Sequence, residues 1–331
     1  MNKIKSINIF NMCVPCACHC KYCLLNYERK IEGIDFKRSI NYAIKFKDWL
    51  NKNHPDIHFM YYFGYSMETR YLIDNIDILN RLNCPSTSFL QFNGMKMRSE
   101  EELKEYLILL KQKGIKLIDL TFHGNRDTHD SFADRKGDFD YLIRVLNASK
   151  EVGLESECGI AINKDNLLEI DDLVNKLASI TNRIFIFTPH SMGKGTSIFD
   201  KKITISDLSK LSHNSKKYLN RDKNKTQSEW YNDNVIEENE SLITLSLLPT
   251  NIDKLEHENI EDTYNDLVKI DENFYSLIPS FKKLLSLYYD SSDIRLYTKK
   301  DLYTIYRRRY INDQKLDIND IDERYTNSIR V

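Results

Sequence analysis

Five of the seven cysteines in this 331-residue chain fall between residues 13 and 23, in the run Cys-Val-Pro-Cys-Ala-Cys-His-Cys-Lys-Tyr-Cys. Such crowding marks a thiol-bearing centre, and three chemistries compete for it. A structural zinc on Cys13, Cys16, Cys20 and Cys23 is disfavoured, because zinc knuckles separate two C-x2-C pairs by about a dozen residues or more. Three residues between the pairs would strain a tetrahedral site. Disulfides fit less well still, since neighbours this close cannot pair with good geometry. Thiolates are also the ligands of iron–sulfur clusters, and Cys16, Cys20 and Cys23 have the spacing C-x3-C-x2-C with Tyr22 just before the last. Cys13 and Cys18 are then surplus, as neighbours of the ligands or as alternative ligands, and the spacing leaves a shifted register open.

The chain is long enough, at 41% hydrophobic residues, for one large domain or a domain with an appendage. Its formal net charge of -1 argues against general binding to nucleic acid or an anionic membrane. Apolar runs stay well short of about 18 residues, and the opening Met1-Asn2-Lys3-Ile4-Lys5 lacks a signal-peptide core. A cytoplasmic protein is expected, in a reducing compartment that keeps such thiols available for metal.

Periodicity alternates strand and helix from the start. Residues 4 to 12 alternate apolar and polar as a strand leading into the cysteine loop. Further strands are predicted near 57–63, 87–92, 116–122, 155–162 and 183–188, with helices over 36–52, 68–82, 99–113, 138–152 and 166–180. Alternation of this kind calls for parallel strands joined by right-handed helical crossovers. Asn166 or Asp165 is read as the cap of the helix at 166–180. Beyond residue 200, a lysine- and arginine-rich stretch to 229 reads as a solvated helix and linker. A strand at 242–248 and helices near 259–269, 274–289 and 300–309 follow, the last ending in Arg307-Arg308-Arg309 against the helix dipole. Cys84 and Cys158 read as core thiols.

The spacing of Cys16, Cys20 and Cys23 resembles the signature of the radical S-adenosylmethionine (SAM) superfamily. That resemblance implies a partial (βα)6 parallel barrel carrying a [4Fe-4S] cluster on those three cysteines, with SAM on the iron left without a thiolate. It places the barrel in residues 1–200, a linker in 201–240 and a C-terminal mostly helical extension in 241–331. In parallel barrels the active residues lie at the carboxyl ends of strands. There the chain has Gly64-Tyr65-Ser66 where the family carries Gly-Gly-Glu, Gly64 matching and Tyr65 and Ser66 departing from it, and Asn93-Gly94, similar to its Thr-Asn-Gly. His123 stands at the end of the fourth strand where the family carries Asp. The family likeness puts Tyr22, Gly64, Tyr65, Ser66, Thr121, Asn163, Pro189 and His190 around SAM, with Asn163 the strongest polar candidate.

His129-Asp130 followed by Gly137-Asp138-Phe139-Asp140 resembles peptide-modifying members, so a ribosomal peptide is the first expectation for the substrate. A nucleoside, nucleotide or other small metabolite is the second, and a non-catalytic iron–sulfur or zinc module is the third. No cysteine follows Cys158, so this sequence lacks the auxiliary-cluster cysteines of many such relatives. A reductant such as flavodoxin or ferredoxin is implied. Competing local readings remain for several of these positions: turns for Gly64 and Asn93-Gly94, helix capping for His129 and Asp130, a solvated side chain for His190.

Overall fold

The computed structural model describes residues 3–11, 16–23, 34–63, 70–233 and 240–318. Strand β1 (Lys3–Asn11) is followed by helix α1 (Phe36–Asn53), β2 (His58–Phe63), the short helices α2 (Arg70–Asp74) and α3 (Ile76–Arg81), then β3 (Phe89–Gln91) and α4 (Glu100–Gln112). After β4 (Leu117–Phe122) come α5 (Arg126–Ala133), α6 (Asp138–Val152), β5 (Glu155–Ala161), α7 (Ile170–Ala178) and β6 (Arg183–Phe187). Two short helices, α8 (His213–Lys216) and α9 (Gln227–Tyr231), precede β7 (Glu240–Leu247). The chain then runs through α10 (Ile252–His257), α11 (Ile260–Leu277), α12 (Phe281–Tyr288) and α13 (Lys299–Asp313).

All strand pairs are parallel, in two sheets ordered β2-β1-β7 and β3-β4-β5-β6. The barrel is therefore open, as expected for a partial one. The strand read at 242–248 forms as β7 and joins the sheet of β1, Ile7 lying opposite Ile243 and Ile9 opposite Leu245. The edge of β2 is met by the turn after α3, where Tyr61 N donates to Leu82 O and Asn83 Nδ2 donates to Phe59 O.

Local chemistry accounts for the helices. Asp35 caps α1 through the Arg38 amide, and Phe36, Ile40, Ala43, Phe46 and Leu50 form its buried stripe. Ser99 and Glu102 make a reciprocal capping box at α4. Gly153 ends α6 at φ 68°, a left-handed turn that favours glycine.

Several predicted elements differ in extent. The helix at 68–82 is broken at Asn75 into α2 and α3. Helix α11 runs on to Leu277 because the following Ile278 precedes Pro279, which disfavours the helical conformation at the residue before it. Helix α13 continues to Asp313, so Arg307, Arg308 and Arg309 are not its last turn, and Arg307 is buried between the rings of Phe274 and Tyr303. The stretch at 200–229 is not one solvated helix. It is a series of short turns with Lys202, Asp207, Asn224 and Gln227 buried.

Alternation along each strand separates two faces. Ile7, Ile9, Ile118, Leu120, Cys158, Ile160, Ile184 and Ile186 belong to or pack on the core beneath the helices. Their neighbours Ser6, Asn8, Asp119, Thr121, Glu157 and Phe185 therefore lie on the opposite, inner face. A second core of Trp230, Phe274, Phe281, Leu284, Tyr297 and Tyr306 gathers the C-terminal helices. Among the described residues, no helix is long and apolar enough to cross a membrane.

Candidate active site at the carboxyl ends of the strands

The described half of the cysteine loop, 16–23, is held across the carboxyl ends of the strands by its backbone. Ala17 N donates to Gly94 O at 2.8 Å in the turn after β3. His19 N and Lys21 N donate to Ala133 O and Phe132 O, at the end of α5. Cys23 O accepts from Lys194 N at 2.9 Å in the segment after β6. Four amide hydrogen bonds to three different crossovers fix where the thiols stand.

Glycine makes room for the loop at two points. Gly94, at φ 78°, faces Cys16, and a Cβ built there would come within 2.2 Å of the sulfur. At Gly195 a Cβ would fall 2.1 Å from His190 O, beside the Tyr22 carbonyl.

Cys16, Cys18, Cys20 and Cys23 are free thiols. Hydrogen bonding with Cys18, then burial, push the Cys16 thiol up from its ordinary value. For Cys18 the contact with Cys16 acts downward, but the contact with Cys20, burial and the charge of Asp138 outweigh it. Cys16, Cys18 and Cys20 thus stand as a chain of neighbouring thiols, and metal binding must deprotonate those that become ligands. Donor type and the cradle at Gly94 fit an iron–sulfur cluster, in which each thiolate takes its own iron. A single ion instead needs its donors about 2.3 Å from one point. Among the described residues, no three His, Cys, Asp or Glu side chains are so arranged. Cys13 lies outside the described residues.

Behind the loop stands a buried polar network. Cys18 donates to Asp138 Oδ2 at 3.7 Å, and the same oxygen meets His129 Nε2 at 3.1 Å. His129 Nδ1 accepts from the His123 amide, which leaves Nε2 to donate. Arg135 closes the network, donating to Asp138 Oδ1 at 2.9 Å and to Met95 O at 2.6 Å. Asp130 accepts from the amides of Gly137 and Phe139 at the start of α6. The polar atoms of the His-Asp and Gly-Asp-Phe-Asp segments are therefore engaged in intramolecular bonds that support the loop.

Three crossovers present buried polar atoms without a partner among the described residues: His123 Nδ1 after β4, Asn163 Nδ2 after β5 and Ser191 Oγ after β6. Their residues are 1%, 2% and 6% exposed. A buried donor left unmade costs about 1–3 kcal/mol, so the set fits a ligand bearing acceptors. Tyr22 joins the loop to this rim, its ring 5.1 Å from His123 and 5.6 Å from Phe132. Burial, then the adjacent His129, hold His123 well below the usual histidine range, so it is a neutral imidazole.

Of the residues singled out in the sequence, Tyr22 lies against His123 and Phe187, the His190 carbonyl approaches Gly195 beside the Tyr22 carbonyl, and Asn163 and Pro189 follow β5 and β6 at the same ends of the strands. Thr121 lies two residues below His123 on the inner face, its backbone tied to the Asn93 side chain. Gly64, Tyr65 and Ser66 lie outside the described residues. Asn166 is no helix cap: Oδ1 accepts from Asn163 N, and Nδ2 donates to His123 O and Ala161 O, clamping the ends of β4 and β5. Ser191 is not legible in the sequence, because a serine in an exit loop carries no distinguishing pattern.

The segment after β6 is braced from far along the chain. Asp301, in the first turn of α13, accepts from Ser191 N at 2.7 Å and pairs with Lys202 at 2.6 Å, while Lys202 donates to Pro189 O at 2.8 Å. Both charged side chains are almost wholly buried.

No protein-family model matches the chain. A curated relative, the Fe-coproporphyrin III synthase of Methanosarcina barkeri, is 26% identical over 99 residues, 30% of this chain and 25% of that protein. Among solved structures, Streptococcus suis SuiB bound to the precursor peptide SuiA gives a TM-score of 0.48 at 14% identity, covering 88% of this chain and 66% of that one. The AdoMet-bound anSMEcpe gives 0.41 at 16% identity, covering 62% and 58%. Escherichia coli coproporphyrinogen III oxidase HemN, a radical SAM enzyme, gives 0.38 at 14% identity, covering 65% and 48%. The chain thus covers a quarter to two thirds of these proteins.

Proposed function

We propose that the chain is a radical SAM enzyme whose Cys16, Cys20 and Cys23 hold a [4Fe-4S] cluster and whose rim of His123, Asn163 and Ser191 receives SAM. The observation that carries this reading is the C-x3-C-x2-C loop bridging the carboxyl ends of the strands, beside polar atoms buried there without partners. A cluster held by Cys16, Cys20 and Cys23 would supply the electron for reductive cleavage of SAM to methionine and a 5′-deoxyadenosyl radical, the species that would abstract hydrogen from a substrate. The chain's own contribution is position and exclusion of water. Gly94 and the amides of Ala17, His19 and Lys21 set the thiols, Tyr22 and Phe132 cover the inner side, and Asn163 and Ser191 offer hydrogen bonds. Cys18, engaged with Asp138, is a neighbour of the ligands and not one of them.

Within this reading the substrate is a peptide, a choice supported by the likeness of residues 129–140 to peptide-modifying enzymes. The electron donor is of the flavodoxin or ferredoxin kind. Residues 1–200 furnish the centre, 201–240 connect, and 241–331 brace it through Asp301.

Anaerobic reconstitution with iron and sulfide, followed by reduction in the presence of SAM, tests the proposal. Cluster absorbance and deoxyadenosine are expected from the wild type, and the cluster is lost on changing Cys16, Cys20 or Cys23 to Ala but kept in Cys18→Ala. Zinc bound without iron, or no deoxyadenosine with cluster and SAM both bound, defeats it.

A further inference from the structure

The inner face of the four-stranded sheet carries a polar row that the cysteine centre does not use. Register lines up Gln91, Asp119, Glu157 and Arg183 on adjacent strands, and one pleat nearer the carboxyl ends Thr121, Gly159 and Phe185. Full parallel barrels fill this space with branched apolar side chains. Here the filling is carboxylates and rings.

Two observations mark a cleft for a ligand. Gly159 lets two rings lie close over the sheet: a Cβ there would stand 2.9 Å from the Phe185 ring and 3.1 Å from that of Phe187. Phe185 nevertheless keeps 39% of its surface exposed. Asp119, by contrast, is only 8% exposed, and its Oδ1 has no hydrogen-bond partner among the described residues. Arg183, the cation of the row, pairs with Glu155 at 2.7 Å at the amino-terminal rim.

We propose that this cleft binds an alkylammonium or guanidinium group of the substrate, with Asp119 and Glu157 as counter-charges and Phe185 as the ring against which the cation's stem lies. The assignment to a substrate rests on the reading of the cysteine centre above. Cations are drawn to aromatic faces, and a buried carboxylate needs an opposite charge to offset its desolvation. Burial and then the charge of Glu157 push the Asp119 carboxyl up to about 7, a cost that a bound cation reverses. The spacing also fits: four residues of strand, about 13 Å, separate Asp119 from His123. A cation on a flexible stem held at Asp119 thus leaves the rest of its molecule near the rim where hydrogen abstraction is proposed.

The test is a binding titration of the full chain with three probes: N-acetyl-lysine methylamide, its norleucine counterpart with a hydrogen in place of the ammonium, and cadaverine. The lysine derivative, cadaverine or both are expected to bind at least about tenfold more tightly than the norleucine compound. Asp119→Asn and Glu157→Gln are each expected to weaken amine binding about tenfold or more. Glu151→Gln, on the exposed side of α6, should leave it unchanged. Preference for the lysine derivative assigns the cation to a peptide side chain, and preference for cadaverine to a free amine. Neither amine outbinding norleucine, or amine binding that survives both substitutions, overturns the proposal. The comparison of probes on the wild type stands even if a variant fails to fold. Iron and sulfide content is measured separately on the same protein. A cluster without amine selectivity refutes the cleft alone, and amine selectivity without a cluster refutes the cysteine reading alone.

Discussion

Asp119 shows how one residue can be legible in type and hidden in role. In Leu-Ile-Asp-Leu-Thr-Phe it interrupts an apolar strand, and period-two alternation assigns it to the face away from Ile118 and Leu120. Its lack of a partner follows only from the packing of β5 and β3 on either side. This has a consequence for stability. Ordinary carboxyls titrate near 3.9, whereas burial and Glu157 hold Asp119 at about 7. The folded chain therefore binds a proton that the unfolded chain has already released, and the stability this gives below about pH 4 is lost as pH rises through 7. Asp119→Asn, which has no charge to bury, is expected to melt above the wild type at pH 8 in ligand-free protein and near it at pH 4. A thermal-shift series across that range checks this, and equal melting at pH 8 would mean that the carboxylate has a partner. His123 was visible as a departure from a family pattern, but its unpartnered Nδ1 and its stacking on His129 depend on the fold.

At the scale of elements, the strands read from alternation, β1 to β6, all form, because apolar residues at alternate positions, such as Ile7 and Ile9, Ile118 and Leu120, or Ile184 and Ile186, give each a face to bury under the helices. What periodicity withholds is partnership. Leu-Ile-Thr-Leu-Ser-Leu announces a strand at β7, yet nothing local in it selects β1 as neighbour. The same holds for the brace between α13 and the segment after β6. Lys202 sits in a lysine-rich stretch that resembles solvated chain, and only the buried Asp301, 99 residues on, makes it structural. Removing one member of such a pair strands the other charge in the interior, at a cost of about 3–5 kcal/mol. Lys202→Met and Asp301→Asn should both show that loss in denaturant unfolding. The double variant Lys202→Met/Asp301→Leu should recover part of it. Because Lys202 holds Pro189 O and Asp301 holds Ser191 N, the single variants should also weaken SAM binding while cluster content stays unchanged. Unaltered SAM affinity in a folded Lys202→Met protein would separate the brace from the site.

Across the whole molecule, two hydrophobic cores share one rigid element. The first half of α11 contributes Tyr264 and Leu267 to the core under the barrel, and its end contributes Phe274 to the C-terminal core. At about 1.5 Å per residue an 18-residue helix spans some 27 Å, so α11 fastens the two cores along its length. Tyr264 stacks on His54 at the end of α1 with ring centroids 4.3 Å apart, and Arg307 lies over Phe274 in the other core. With α13 also gripping the rim through Asp301, neither core can open without exposing apolar surface of the other. A single cooperative unfolding transition is therefore expected in calorimetry, although the chain is large enough for two. Phe274→Ala, which removes a buried ring from the shared helix, is expected to cost about 3–5 kcal/mol and to lower that transition as one. A split into two heat-absorption peaks, the earlier confined to the C-terminal helices, would show that the extension folds apart from the barrel and that the brace on Ser191 is too weak to couple them.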